Sequence, residues 1–368
     1  MENKKRKSNL ELMRIIMMIV IIIHHYVVNS GITELYDFSE ITPNMIFLQC
    51  MGFAGKAMIN CFILITGYFM IKKKITLKKI VKLYLEMKFY QIVIFVILSL
   101  LGIEEFGLKR LIKALFSVIY NVNIYFSETF FIMYLLIPFI NILIYKLNKE
   151  KFSTLLCILL FYFTIISTFS ITHDTFNEIT WYIVVYMIGA YIRLYPNRYD
   201  RNKQFWLIAS ILCILCCIGS ILSIDLINNK LNTTFNAYFF IANAHKLLAV
   251  ITSICLFMLF RNIDIKYNKF INDIASTTFG VLLIHANSDA MRKFIWQILF
   301  NVKEQYYSQY LYIHLILTVC ITYVVCVCID LLRIKFIEKP FFKCLENNET
   351  FIKISSNIDK VYMEENHE

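Results

Sequence analysis

The feature that most restricts this chain is a recurrence of apolar runs, most of them about 20 residues long, along nearly its whole length. A helix rises about 1.5 Å per residue and the hydrocarbon core of a bilayer is about 30 Å thick, so each run has the length of a crossing. Ten segments qualify: 10–29, 46–71, 84–103, 128–147, 152–171, 179–195, 204–224, 236–260, 274–287 and 311–333, the sixth and ninth being short. Composition agrees. The chain is 59% hydrophobic and 17% charged with a mean hydropathy of +0.62, whereas a soluble domain is near half apolar and a quarter charged. The expected fold class is all-α, a polytopic membrane protein of about ten transmembrane helices. Soluble and disordered chains are excluded, and only 4 Pro and 9 Gly argue against a loop-rich or fibrous one. The stretch 108–126 carries Lys109, Arg110 and Lys113 within one and a half turns, so an amphipathic surface helix is expected there rather than a further span.

Charge gives the orientation. With an even number of spans and the N-terminus inside, 27 basic residues fall in cytoplasmic segments, seven outside, and Arg14, Lys56 and Lys246 within spans. This positive-inside bias predicts cytoplasmic N- and C-termini, and it reads the net charge of +11 as contact with anionic lipid rather than nucleic acid. The basic start resembles a signal peptide, but Glu11 and Arg14 interrupt the apolar stretch and no small-residue cleavage site follows, so a retained first span is expected. The domain reading is a basic tail over 1–9, one membrane domain over 10–343, and a polar, frayed cytoplasmic tail over 344–368. Most of the 11 Cys lie inside apolar runs. Cys213 and Cys216 form a C-x-x-C with no second pair and no His nearby, so neither a metal site nor a disulfide framework is expected.

Ionisable groups within a span are costly and are functional candidates by default. The first span holds four: Glu11, Arg14, His24 and His25. At 100° per residue, the 11 steps from Arg14 to His25 make three turns plus roughly 20°, so the two share a face about 16 Å apart. Glu11 joins that face, and His24 points about 80° away. Neutral imidazole is the usual general base for a hydroxyl. Arg14 could also simply snorkel to lipid phosphate, paired with Glu11. A second cluster, His285, Asn287, Asp289 and Arg292, lies in the ninth span, where the alternative is an interfacial helix end anchored by Trp296. Lys246 beside His245 is a third oddity, and Asn60 fits a helix–helix hydrogen bond. The block IKKKITLKKIVKLYLEMK holds seven lysines in 17 residues, either for lipid headgroups or as a dock for a phosphate-rich donor.

These pieces occur in an order that resembles the acyltransferase family 3 integral membrane O-acyltransferases. NLELMRIIMMIVIIIHHYVV is similar to the family's first span, in which an Arg is followed after ten residues by a His, with an acid three residues before the Arg; Arg14, His25 and Glu11 match. NCFILITGYFM resembles the family's segment ending in Ser-Gly-Phe/Tyr, with Thr66 in place of Ser. YLLIPFIN, WYIVVYMIGAYIRLY, STTFGVLLIHAN and IEKPFF resemble later family segments, so that the likeness runs in order over residues 8–343. Tyr125 stands where a Trp is expected and Leu283 where a Tyr is usual, which puts local substrate contacts in doubt. Some relatives carry an added soluble hydrolase-like domain, for which this chain has no room.

The resemblance implies transfer of an acyl group, usually acetyl, from cytoplasmic acyl-CoA to a hydroxyl of an extracytoplasmic surface glycan. It implies catalytic roles for His25, Arg14 and Glu11, with His25 the base and Arg14 orienting the donor. The donor-binding expectation is Lys72, Lys73, Lys74 and Lys78; the acceptor-side expectation is His285, Asn287 and Asn60. No bound cofactor is expected, acyl-CoA being a co-substrate. The expected partners are acyl-CoA, the glycan and the bilayer, with a homo-oligomer left open, and the expected location is a bacterial cell membrane. Two other classes stay in view: a polytopic glycan or lipid transporter or polysaccharide polymerase, and a non-catalytic pH sensor built on His25 and His285.

Overall fold

The computed structural model describes residues 8–169 and 177–361. The basic residues Lys4 to Lys7, the last two residues of the expected fifth span and the end of the polar tail lie outside the described residues. In hydrocarbon every backbone N–H and C=O must be paired within the protein, and helices do this locally. Accordingly, no strand is present among the described residues. In chain order the helices are α1 (Ser8–Val28), α2 (Pro43–Gly52), α3 (Gly55–Met70), α4 (Leu77–Leu100), α5 (Leu108–Leu115), α6 (Ser117–Asn121), α7 (Phe126–Lys146), α8 (Lys149–Leu160), α9 (Ser167–Phe169), α10 (Glu178–Leu194), α11 (Lys203–Leu231), α12 (Leu247–Asn262), α13 (Lys269–Ala275), α14 (Thr278–His285), α15 (Asp289–Lys293), α16 (Leu311–Arg333), α17 (Lys339–Glu346) and α18 (Glu349–Val361). A π-helical turn, Phe161–Ile166, joins α8 to α9.

Short polar side chains set several of the starts. Thr42, Asn148, Asn202, Asn268 and Ser288 each accept a hydrogen bond from a free backbone N–H of the first turn they precede. α11 stops at Asn232, whose φ of 51° is left-handed.

Among the described residues, seven helical stretches are long and apolar enough to cross a membrane: Ser8–Val28, Pro43–Met70, Leu77–Leu100, Phe126–Lys146, Lys149–Phe169, Lys203–Leu231 and Leu311–Glu346. The other three expected spans are shorter. α10 has 17 residues and α12 has 16, about 25 Å each. The run 274–287 is broken at a turn between α13 and α14. The expected eighth span, 236–260, becomes helical only from Leu247, because residues before it form turns tied to the end of α9. Lys246 Nζ donates to the Ser167 carbonyl at 2.5 Å, and the Leu247 N–H donates to Thr168 Oγ1 at 3.1 Å. α5 has eight residues and none is buried, so it is a surface helix and not a span.

α1 lies at the centre, packed against α2, α3, α12, α13, α14 and α16. α3 and α10 cross with their backbones close together. A Cβ on Gly67 would run into the Tyr186 carbonyl, and one on Gly189 into the Leu64 carbonyl. Small residues let backbones approach where van der Waals packing, rather than water, drives association.

The expectation of a frayed tail over 344–368 is corrected over its described part. α17 and α18 are folded against the start of α4: Lys78 pairs with Glu346, and the Leu77 N–H donates to Asp359 Oδ1 at 2.7 Å. These bonds satisfy an otherwise orphaned helix-start donor, which a polar composition does not reveal. Ser8 meets the same end of the bundle through Asn268 and Asn272 on α13.

Candidate active site

Helix α1 presents three consecutive rings at its end, and each goes to a different element. His24 Nδ1 bonds the Gly52 carbonyl at the break between α2 and α3. Tyr26 Oη meets His314 Nδ1 on α16 at 2.9 Å, and its ring lies edge-on to Trp296. Between them, His25 Nδ1 lies 3.0 Å from His285 Nε2 on α14. His285 Nδ1 in turn lies 2.6 Å from the Val281 carbonyl, one turn earlier on the same helix. A carbonyl only accepts, so His285 must carry its proton on Nδ1. With both rings neutral, His285 Nε2 is then an acceptor and His25 must donate through Nδ1–H. The lone pair of His25 Nε2 is left over, without a hydrogen-bond partner among the described residues. His25 is therefore oriented by a second group, an arrangement compatible with general-base chemistry.

His25 lines a cavity of about 120 Å³ together with Lys56, Glu178, Tyr182, Tyr125, Asn287 and Arg292. Tyr182 Oη donates to Glu178 Oε2 at 3.3 Å. The Arg292 guanidinium lies 5.1 Å from the centre of the Tyr125 ring and pairs with Asp289 at 2.8 Å. Asn287 Nδ2 is buried there without a hydrogen-bond partner among the described residues.

The expected site residues separate into groups. His25 and Asn287 meet at this cavity. His285 is fully buried behind His25 and does not line it, so it touches His25 and not the cavity. Asn60 is also fully buried and outside the lining. Its amide donates to the Ala244 carbonyl at 2.7 Å and accepts from Trp181 Nε1 at 3.0 Å, which ties α3 to α10 and to the turns before α12. Glu11 and Arg14 pair at 3.5 Å, with Arg14 28% exposed, and neither lines the His25 cavity. Next to them Asn9 donates to the carbonyls of Phe260, Arg261 and Ile263, closing the end of α12.

Of the expected donor lysines, Lys72, Lys73 and Lys74 are exposed in the turn between α3 and α4, and Lys78 is engaged by Glu346. A cleft of about 1000 Å³ opens at this same end of the bundle, lined by Lys82, Lys269, Lys335, Lys339 and Arg333 rather than by those four. Arg333 is the hub of a buried network: it bonds Asp330 at 2.6 Å, Glu86 at 2.9 Å and Glu338 at 2.9 Å. Removing one partner from such a network leaves a buried charge uncompensated, at a cost of roughly 3–5 kcal/mol. The glycine of the FGV segment belongs to this network, because a Cβ on Gly280 would occupy the place of the Asp330 carboxylate. In sequence Arg333 counts only as one of the basic residues of the cytoplasmic segments. Asp330 and Glu338, three before and five after it, were the available signal. Lys56 was visible as a cation inside an apolar run, whereas Glu178 at a helix start carried no signal.

The family described as an acyltransferase domain matches residues 7–331. No curated protein and no solved structure is matched. The matched residues include α1 with its Glu11, Arg14 and His25 and the segment that supplies His285, so the chain belongs to acyltransferase family 3 and is a multi-pass membrane acyltransferase.

Proposed function

We propose that the protein transfers an acyl group, acetyl in the first instance, from acyl-CoA to a hydroxyl of a surface glycan. The observation that supports this most is the directed pair His285–His25, which leaves one basic nitrogen beside a small polar cavity. His25 Nε2 takes the acceptor hydroxyl proton as the oxygen attacks the thioester carbonyl. The resulting oxyanion gains from the cationic side chains of Lys56 and Arg292, because preorganised charge acts strongly in a site of low dielectric. Collapse breaks the carbon–sulfur bond, and the imidazolium returns the proton to the departing thiolate. The products are an ester and free CoA, with no net proton change. The donor comes from the lysine-rich end, taken as cytoplasmic, and the acceptor from the opposite face of a bacterial cell membrane.

The test is mass analysis of surface glycans from cells lacking the protein, complemented with wild type, His25→Ala or His24→Ala. Full-length glycans that lack an acyl group, restored by wild type, support the reading. His25→Ala is expected to lower transfer by about 10²–10⁴-fold at normal protein level, and His24→Ala to be milder. Loss or shortening of a whole polymer would favour a transporter or polymerase instead.

A further inference from the structure

A second cavity, of about 310 Å³, lies between α5–α6 and the chain just after α14. It shares Tyr125 and Asn287 with the His25 cavity, so the two adjoin. Arg110 and Lys113 enter its lining from one face of α5, at i and i+3. Beneath them the Lys88 ammonium is held by Ser117 Oγ at 2.7 Å, Gln91 Oε1 at 3.0 Å and the Ala114 carbonyl at 3.1 Å. The linings of the two cavities together carry four cations, Lys56, Arg110, Lys113 and Arg292, against two carboxylates, Glu104 and Glu178. Two further carboxylates stand at the rim: Glu105 pairs with Arg110 at 3.3 Å and Asp289 with Arg292 at 2.8 Å. Both are highly exposed, at 89% and 87%. Exposed pairs of this kind are weak, and an incoming anion competes with them. At the junction, Asn287 Nδ2, buried without a hydrogen-bond partner among the described residues, offers one more donor.

We infer that this cleft is the acceptor's subsite and that the acceptor is an acidic glycan, bearing a carboxylate or phosphate near the acylated hydroxyl. The inference rests on the acyltransferase reading above and adds the acceptor's charge. Arg110 and Lys113 draw the anion onto the α5 ledge, and the adjoining cavity receives the hydroxyl beside His25. Charges at the rim of a site act mainly through steering and selection, so the pair governs which glycan is used and not the chemical step.

The experiment uses cells lacking the protein, complemented with wild type or Arg110→Glu/Lys113→Glu. Envelope glycans are divided on an anion exchanger, and the alkali-released acyl groups of each fraction are measured. With wild type the acyl group is expected on the acidic fraction. The double variant is expected to lose it by about tenfold at unchanged protein level. Mild hydrofluoric acid, which cleaves phosphodiesters and spares uronates, then tells phosphate from carboxylate. Acyl groups on the neutral fraction, in wild type and variant alike, overturn the inference alone. No acyl group dependent on the protein in either fraction overturns the transferase reading as well. Arg110→Gln/Lys113→Gln guards against misfolding. In lipid-free detergent, with acidic glycan purified from the deletion cells, wild-type transfer should fall as salt rises and that of the Gln variant should not. A defect that disappears in detergent would mean that the pair serves lipid headgroups, and the inference falls.

Discussion

At one end of α1, His24, His25 and Tyr26 bond to three different partners, the break between α2 and α3, α14 and α16. At the other end, Glu11 and Arg14 pair with one another on one face of the helix, and Arg14 keeps part of its surface open. The first end is fixed by side chains that each have one partner, which suits the general-base role proposed for His25. The second is an ion pair near the bundle's end, where the donor-orienting role expected of Arg14 would be exercised. The two polar groups that the spacing placed on one face, about 16 Å apart, therefore sit in different surroundings.

Substitutions at three positions break or sharpen that contrast. His285→Ala carries the largest effect, a fall in kcat of about tenfold or more with KM for either substrate little changed. His285→Gln, whose amide oxygen can still accept from His25, should recover much of it, and the pH profile of the Ala variant should shift while that of Gln does not. Failure of Gln to rescue would make His285 a packing residue. Arg14→Ala comes next, raising the donor's KM by about tenfold with kcat largely kept. A fall in kcat instead would show that Arg14 positions α1 and does not hold the donor. Lys78→Ala is the smallest, within about 0.5 kcal/mol by thermal unfolding and about twofold in rate. A larger loss of donor binding would return the lysine turn to the donor's path.

The apolar runs announced the helices, and the Arg14–His25 spacing announced the shared face, because both are properties of a single helix. The partner of His25 is 260 positions away, and no helical period reports such a contact. The same holds for Asn60: a polar residue in an apolar run reads equally as a site or as a tie, and only Trp181 and Ala244 decide between them. The lysine block was conspicuous in sequence, yet the cleft at that end draws its cations from α4, α13, α16 and the segments that follow α16. α12 begins later than its hydropathy suggested, since Phe239 and Ile241 are apolar without being helical. Their segment packs through turns.

The carbonyl of Val281 has a consequence for how freely this site can change over generations. It fixes the tautomer of His285, and through it that of His25, yet it belongs to the backbone and not to any side chain. Drift at position 281 can therefore alter the shape and volume of its surroundings while the direction of the proton on His25 stays put. The heritable part of the orientation of His25 is two imidazoles and one intact turn of helix. A proline at 285 or a break in α14 would erase it, whereas a change of side chain at 281 would not.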